Sequence, residues 1–280
     1  MYYLYCIARS LVLILPRRCS YFIAGILSSI KFYISRRDRK AVIFNIAPLV
    51  ENKKELRKRA KRVFNNFALY LVDFLNTRRI NRKFIKRYVS VSGIDNLNSV
   101  VGKKGIIALT AHIGNYELGG GIVSILGYDI HAIAFPHKDR RINDFFNSQR
   151  SIFKVKVIPT GRAVVRCIRL LRNKKMIAFL GDRDFVSMKG YRVRFCGRDA
   201  LLPKGPSFFA LKTDSVIIPS FFVRERKYFY RLIFEPPIFP RYNNGSLKSE
   251  KVLVEEQLRI LEKYVRKYSD QWYMFQKYWL

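Results

Sequence analysis

Gly105-Ile106-Ile107-Ala108-Leu109-Thr110-Ala111-His112-Ile113-Gly114-Asn115-Tyr116-Glu117 changes its periodicity half-way along. The run 106–110 is short, aliphatic and bounded by glycine, which is the pattern of a buried strand. Gly114 and Asn115 supply turn residues, and a helical pattern occupies 116–126. A strand that ends at a polar turn and feeds a helix is one unit of an α/β sheet. Ligand sites of such sheets gather at the carboxyl ends of the strands.

Working outward, further apolar or alternating runs at 89–92, 130–134, 155–158, 176–180, 193–195, 216–222 and 230–234 read as strands. Helical patterns lie between several of them, at 139–153, 162–172 and 205–212, with a last one at 247–268. The alternation predicts the α/β class, with a mixed central sheet flanked by helices. Upstream, 51–79 repeats Leu56, Ala60, Val63, Phe64, Phe67, Leu71 and Phe74 at helical spacing. The domain division expected is an N-terminal helical segment, 1–40, followed by one α/β domain, 41–280.

Composition narrows the function. The 280 residues hold 54 Lys and Arg against 20 Asp and Glu, a net charge of +34, yet 49% are hydrophobic. A disordered basic tail would lack that apolar content. The four cysteines, Cys6, Cys19, Cys167 and Cys196, have neither zinc-ligand spacing nor a CxxC pair, so a metal site and a disulfide framework are not indicated and a reducing compartment is. Grease and cations coincide at the N-terminus, where the runs 11–15 and 21–30 are interrupted by Pro16, Arg17 and Arg18. Neither run reaches the roughly 20 apolar residues of a spanning helix. The expectation is a membrane-surface anchor whose basic flank, Arg36, Arg37, Arg39 and Lys40, adds about 1 kcal/mol per cation at acidic lipid. That favours the cytoplasmic face of a membrane.

The chemistry is expected at His112. His112 and Glu117 are five residues apart, which on a continuous helix puts them about 140° apart at roughly 3.6 residues per turn. With a turn between them they can converge. A carboxylate on one imidazole nitrogen leaves the other free to accept a hydroxyl proton, the arrangement of a general base. His131 and His137 read as satisfied polar residues. A second polar block, Gly181-Asp182-Arg183-Asp184, follows another apolar strand, and a third, Leu202-Pro203-Lys204-Gly205-Pro206, opens a helix whose free N–H groups suit an anion.

The string HIGNYE, 112–117, resembles the HFGNWE-type motif of the late acyltransferases of lipid A biosynthesis, the lauroyl and myristoyl transferases, within the lysophospholipid acyltransferase superfamily. The resemblance extends to Arg150 within FNSQRSIFKVKVIP, to MIAFLGDRD before Phe185, to VRFCGRDALLPKGPSFFALKTDSVIIP, to the C-terminal SDQWYMFQKYW, and to the early segment from Arg39 to Asn45. The Asp-Arg-Asp version of the second block, with its Leu-Pro-Lys-Gly-Pro, is closer to relatives that include phosphatidylinositol mannoside acyltransferases.

The resemblance implies an acyltransferase-like fold and transfer of a fatty acyl group from acyl carrier protein or coenzyme A to a hydroxyl of a lipid A precursor or related glycolipid. The thioester is a co-substrate and no cofactor is implied. In this reading His112 and Glu117 are catalytic. Arg150, Asn115 and Arg183 bind substrate or the oxyanion, and Asp182 orients them. The location implied is the inner membrane, with the site facing the cytoplasm. The positive charge would hasten encounter with acidic carriers and an anionic acceptor. The alternatives are a glycerophospholipid acyltransferase and, from a different class, a basic nucleic-acid-binding protein. Against the latter, no RNP, KH, zinc or helix-turn-helix signature is present and the basic residues are spread along the chain.

Overall fold

The computed structural model describes residues 2–134, 137–158, 163–184 and 190–280. Phe185 and Arg162 lie outside them.

Two helices, α1 (Tyr2–Ile14) and α2 (Arg17–Ile34), form a hairpin broken at Pro16, which cannot continue a helix. α3 (Arg36–Ile46) and the long α4 (Lys53–Leu75) follow, then α5 (Arg82–Tyr88) and α6 (Ile94–Asn98), which flank β1 (Val89–Ser92). β2 (Ile106–Thr110), α7 (Tyr116–Ile125), β3 (Ile130–Ile133), α8 (Arg140–Ile152), β4 (Lys156–Ile158), α9 (Ala163–Arg172) and β5 (Met176–Leu180) alternate as expected. A small hairpin, β6 (Tyr191–Phe195) and β7 (Arg198–Leu202), precedes α10 (Gly205–Thr213), β8 (Val216–Arg226), β9 (Phe229–Phe234) and α11 (Glu250–Lys267).

Among the described residues one sheet has the order β1-β9-β8-β2-β5-β3-β4. β2, β3, β4, β5 and β8 are parallel, whereas β9 runs antiparallel to β8 and parallel to β1. The sheet is therefore mixed. β2 lies between β5 and β8 and is buried on both faces, which explains its continuous aliphatic run. Its carboxyl end opens beside that of β5, while β8 runs on past it to Arg226.

The N-terminal helices pack on this frame. Asp73 of α4, fully buried, takes bonds from Arg17 Nε at 3.0 Å, Arg224 Nη2 at 3.0 Å and Tyr21 Oη at 2.5 Å, and also from the Tyr230 hydroxyl. One carboxylate thus ties α2, α4, β8 and β9 together. Burial opposes its ionisation, but the two guanidinium groups and two phenols outweigh that and hold its carboxyl below the usual range. Arg39 caps the end of α2 through the carbonyls of Phe32 and Tyr33 at 2.6 and 2.7 Å. The outer faces of α1 and α2 leave Leu4, Ile7, Leu11, Phe22, Ile26 and Ile30 exposed. Among the described residues no helix is long and apolar enough to cross a membrane.

Candidate active site

The site begins where β2 ends. Ala111 and His112 continue past Thr110, and Ile113 bridges to Trp272. Gly114 then turns with φ of +64°, and a Cβ there would stand 2.2 Å from the Phe222 carbonyl oxygen, so only glycine fits. Asn115 caps α7: its side chain accepts from Leu118 N at 3.2 Å while its own N–H donates to Phe222 O at 2.8 Å. Its side-chain amide nitrogen reaches Tyr70 O at 3.4 Å, so this buried residue is engaged at both ends.

His112 meets Asp182. Nδ1 lies 2.7 Å from Asp182 Oδ1, and the backbone N–H of His112 donates to Asp182 Oδ2 at 3.0 Å. Trp272 Nε1 donates to that same Oδ2, also at 3.0 Å. Burial disfavours charge on Asp182, but the attraction of His112 and Arg183 and the bonds from His112 and Trp272 hold its carboxyl below the ordinary range. An anionic acceptor at Nδ1 fixes the proton there and leaves Nε2 as the acceptor.

Glu117 has a different partner from the one its spacing suggested. Its carboxylate receives both arms of Arg150, Nε at 2.9 Å and Nη2 at 2.5 Å. The bidentate pair is largely buried and joins the first turn of α7 to the last turn of α8. Two acid–base pairs, His112–Asp182 and Glu117–Arg150, thus stand where one dyad was expected. Between them Tyr116 places its ring edge-on to His112, with centroids 5.3 Å apart, and its hydroxyl 3.5 Å from that of Tyr70. Burial pushes the Tyr116 phenol up to about 12, helped by the Glu117 carboxylate. Arg183, the neighbour of Asp182, reaches Met274 Sδ at 3.5 Å. His131 is buried on β3, and its Nδ1 has no hydrogen-bond partner among the described residues. The ring of His137 lies 4.7 Å from that of Phe146.

The residues to which sequence reasoning gave no role are those of the C-terminal strap. Gly114 N donates to Gln271 O at 3.0 Å and Tyr273 N to His112 O at 2.9 Å, so residues 271–273 hold the backbone on both sides of Ile113. Gln271 also pairs with both backbone groups of Arg224, at 2.9 and 2.8 Å. Tyr278 Oη donates to Asp182 O at 2.6 Å. Asn45, fully buried in α3, clamps the far end: its amide bonds Met274 O, Gln276 O and Tyr278 N at 2.9, 2.7 and 2.9 Å. The signal was the density of aromatic and amide residues in SDQWYMFQKYW. The third polar block does open α10 at Gly205, as expected.

The chain is similar to two other proteins. The phosphatidylinositol mannoside acyltransferase of Mycobacterium tuberculosis (strain CDC 1551 / Oshkosh) is 23% identical over 159 residues, 54% of this chain and 48% of that protein, so the chain spans about half the length of this curated relative. The crystal structure of the 1-acyl-sn-glycerophosphate acyltransferase of Thermotoga maritima aligns over 92% of this chain and 99% of that one, with 15% identity and a TM-score of 0.44. Over residues 1–280 the sequence matches the bacterial lipid A biosynthesis acyltransferase family, and the chain belongs to it.

Proposed function

We propose that the protein is a membrane-surface O-acyltransferase that moves a fatty acyl group from a thioester of acyl carrier protein or coenzyme A to a hydroxyl of a lipid A precursor or related glycolipid. The observation that carries this reading is the 2.7 Å contact between His112 Nδ1 and the buried Asp182 carboxylate at the carboxyl ends of β2 and β5. His112 Nε2 takes the proton of the acceptor hydroxyl, and the alkoxide oxygen attacks the thioester carbonyl. As the tetrahedral intermediate collapses, the C–S bond breaks and the imidazolium returns its proton to the leaving thiolate. Asp182 fixes the tautomer and stabilises the imidazolium. Glu117 acts with Arg150 as a fixed pair beside the base, and Arg150 and Arg183 bring positive charge toward the developing oxyanion and the anionic acceptor.

The exposed apolar faces of α1 and α2, with Arg36, Arg37 and Lys40 exposed at the start of α3, support a monotopic anchor on the cytoplasmic side of the inner membrane. Deleting the helices is a poor test, because a cut after Ile34 also strips Arg17 and Tyr21 from Asp73. Substituting Ile7, Leu11 and Ile26 by Asp leaves that cluster intact and is expected to abolish flotation with vesicles.

The deciding experiment supplies labelled acyl carrier protein and coenzyme A thioesters to the purified protein with a lipid A precursor, a mannosylated phosphoinositide and a lysophospholipid as parallel acceptors. Ester formation on a glycolipid, reduced about a hundredfold or more in His112→Ala, is expected. Transfer confined to the lysophospholipid would replace the glycolipid by a glycerophospholipid acceptor. Transfer unaffected by His112→Ala would overturn the mechanism.

A further inference from the structure

We propose that the groove between α2, α4 and the β8–β9 turn binds one anionic phospholipid as a non-reacting ligand that seats the carboxyl edge of the sheet on a bilayer. The groove is open to solvent along its length and has a volume of about 820 Å³, within the range of small-molecule sites. Its two walls differ in chemistry. α2 contributes Phe22, Ile26, Ile30 and Tyr33, which lie above one another at helical spacing and are all exposed. The turn contributes Arg226 and Lys227, also exposed, and neither meets a carboxylate among the described residues.

The acids that share the groove do not cancel these two cations. Glu225 is held by Arg231 at 2.8 Å and Asp270 by Arg62 at 3.4 Å. An apolar rail facing two unmatched cations suits a molecule with an acyl chain at one end and a phosphodiester at the other. A free phosphate would leave the rail in water, and a neutral hydrocarbon would leave the cations unpaired.

The walls are held at a fixed separation. The Tyr228 ring stacks on Tyr21 with centroids 5.3 Å apart, Arg17 Nη1 donates to Tyr228 O at 3.3 Å, and Arg224 Nη1 donates to Lys227 O at 2.7 Å. A ligand therefore meets an ordered turn and spends little of its binding energy on ordering it. Because β8 is parallel to β2 and runs on past its carboxyl end, the turn projects in the direction in which His112 follows β2. A lipid seated in the groove brings the carboxyl edge of the sheet to the interface.

The test uses the full chain in solution with short-chain lipids below their micelle concentration, followed by native mass spectrometry and calorimetry. Dihexanoylphosphatidylglycerol is expected to bind one per chain, and dihexanoylphosphatidylcholine about tenfold or more weaker. Reversing the cations in Arg226→Glu/Lys227→Glu is expected to weaken the anionic lipid by about tenfold or more. Gly25→Leu, which fills the groove at a point where a Cβ would stand 3.6 Å from Asn65 Oδ1, is expected to abolish binding. If that variant fails to fold, the cation pair carries the test alone.

Equal affinity for the two lipids, unchanged binding in the charge-reversed protein, or glycerol 3-phosphate binding as tightly as the lipid would each overturn the proposal. No acyl donor enters the titration, so its failure leaves the acyltransfer reading untouched.

Discussion

Asp182 Oδ2 accepts two N–H groups, from the backbone of His112 and from Trp272 Nε1, each at 3.0 Å, so that only Oδ1 is left to face the imidazole at 2.7 Å. The carboxylate is addressed from both sides and cannot rotate without losing two bonds. This makes the acid in the second polar block, rather than the one five residues downstream, the group that sets the histidine tautomer.

Asp182→Asn tests that assignment. The amide oxygen must stay on the two N–H donors, which turns the NH2 toward His112 Nδ1. A donor there drives the proton to Nε2 and removes the acceptor that the reaction needs. Acyl transfer is expected to fall by about 10² to 10⁴ with the fold retained, comparable to the loss of the base itself. Steady-state rates together with circular dichroism decide it, and a loss below about threefold would dismiss Asp182 as the orienting group.

Glu117 and Arg150 are expected to behave as a unit. Either residue alone, after Glu117→Gln or Arg150→Gln, leaves a largely buried charge without its partner, at a cost of up to about 3 kcal/mol in stability. The double variant should be less destabilised than the sum of the singles, with a coupling of about 0.5–3 kcal/mol. Urea denaturation of the four proteins measures it, and strict additivity would dissolve the pair.

Much of the architecture was legible because local and tertiary preferences agreed. The runs 89–92, 106–110 and 176–180 became β1, β2 and β5 with unchanged bounds, since each is an aliphatic or alternating segment closed by turn residues. β7 was missed: Arg198-Asp199-Ala200-Leu201-Leu202 carries no strong strand pattern and is fixed by its pairing with β6. His112 was legible as a polar residue at a strand end. Its partner was not, because the distance from residue 112 to residue 182 in sequence says nothing of β2 lying beside β5, which is what brings the two strand ends together. The nearby Glu117 drew the assignment because sequence proximity is visible and sheet order is not. Asn45 and Trp272 lay in segments that carry the resemblance, but their partners were hidden for the same reason, since each acts across more than eighty residues.

The buried Asp73 cluster sets an acid limit on stability. Its carboxyl titrates lower in the folded protein than in the unfolded chain, so the folded state binds fewer protons as acid is added. The stabilisation is fully present above the unfolded value of about 4 and is lost as pH falls through the depressed folded value. Melting temperatures recorded from pH 7 to pH 3 should therefore fall, most steeply below about pH 4. Asp73→Asn should melt lower at neutral pH, because Arg17 and Arg224 lose their counter-charge, and should show a flatter acid limb. An acid limb as steep as that of the wild type would place the titrating groups elsewhere.

Trp272→Phe separates packing from hydrogen bonding in the strap. The phenyl ring keeps contact with Phe195 and Tyr278, which pack edge-on against the indole at centroid distances of 6.3 and 5.1 Å, but it removes the donor to Asp182 Oδ2. A hydrogen bond to a buried anion contributes about 1.5–3 kcal/mol, so stability is expected to drop by about 2 kcal/mol. Without that donor the Asp182 carboxylate, less satisfied at Oδ2, pulls harder on the Nδ1 proton and stabilises the imidazolium more strongly. The acid limb of kcat/KM should accordingly move to higher pH, with the plateau lowered about tenfold. A lower melting temperature with an unmoved pH profile would make Trp272 a packing residue alone, whereas a shifted profile identifies the strap as part of what keeps the base in its working tautomer.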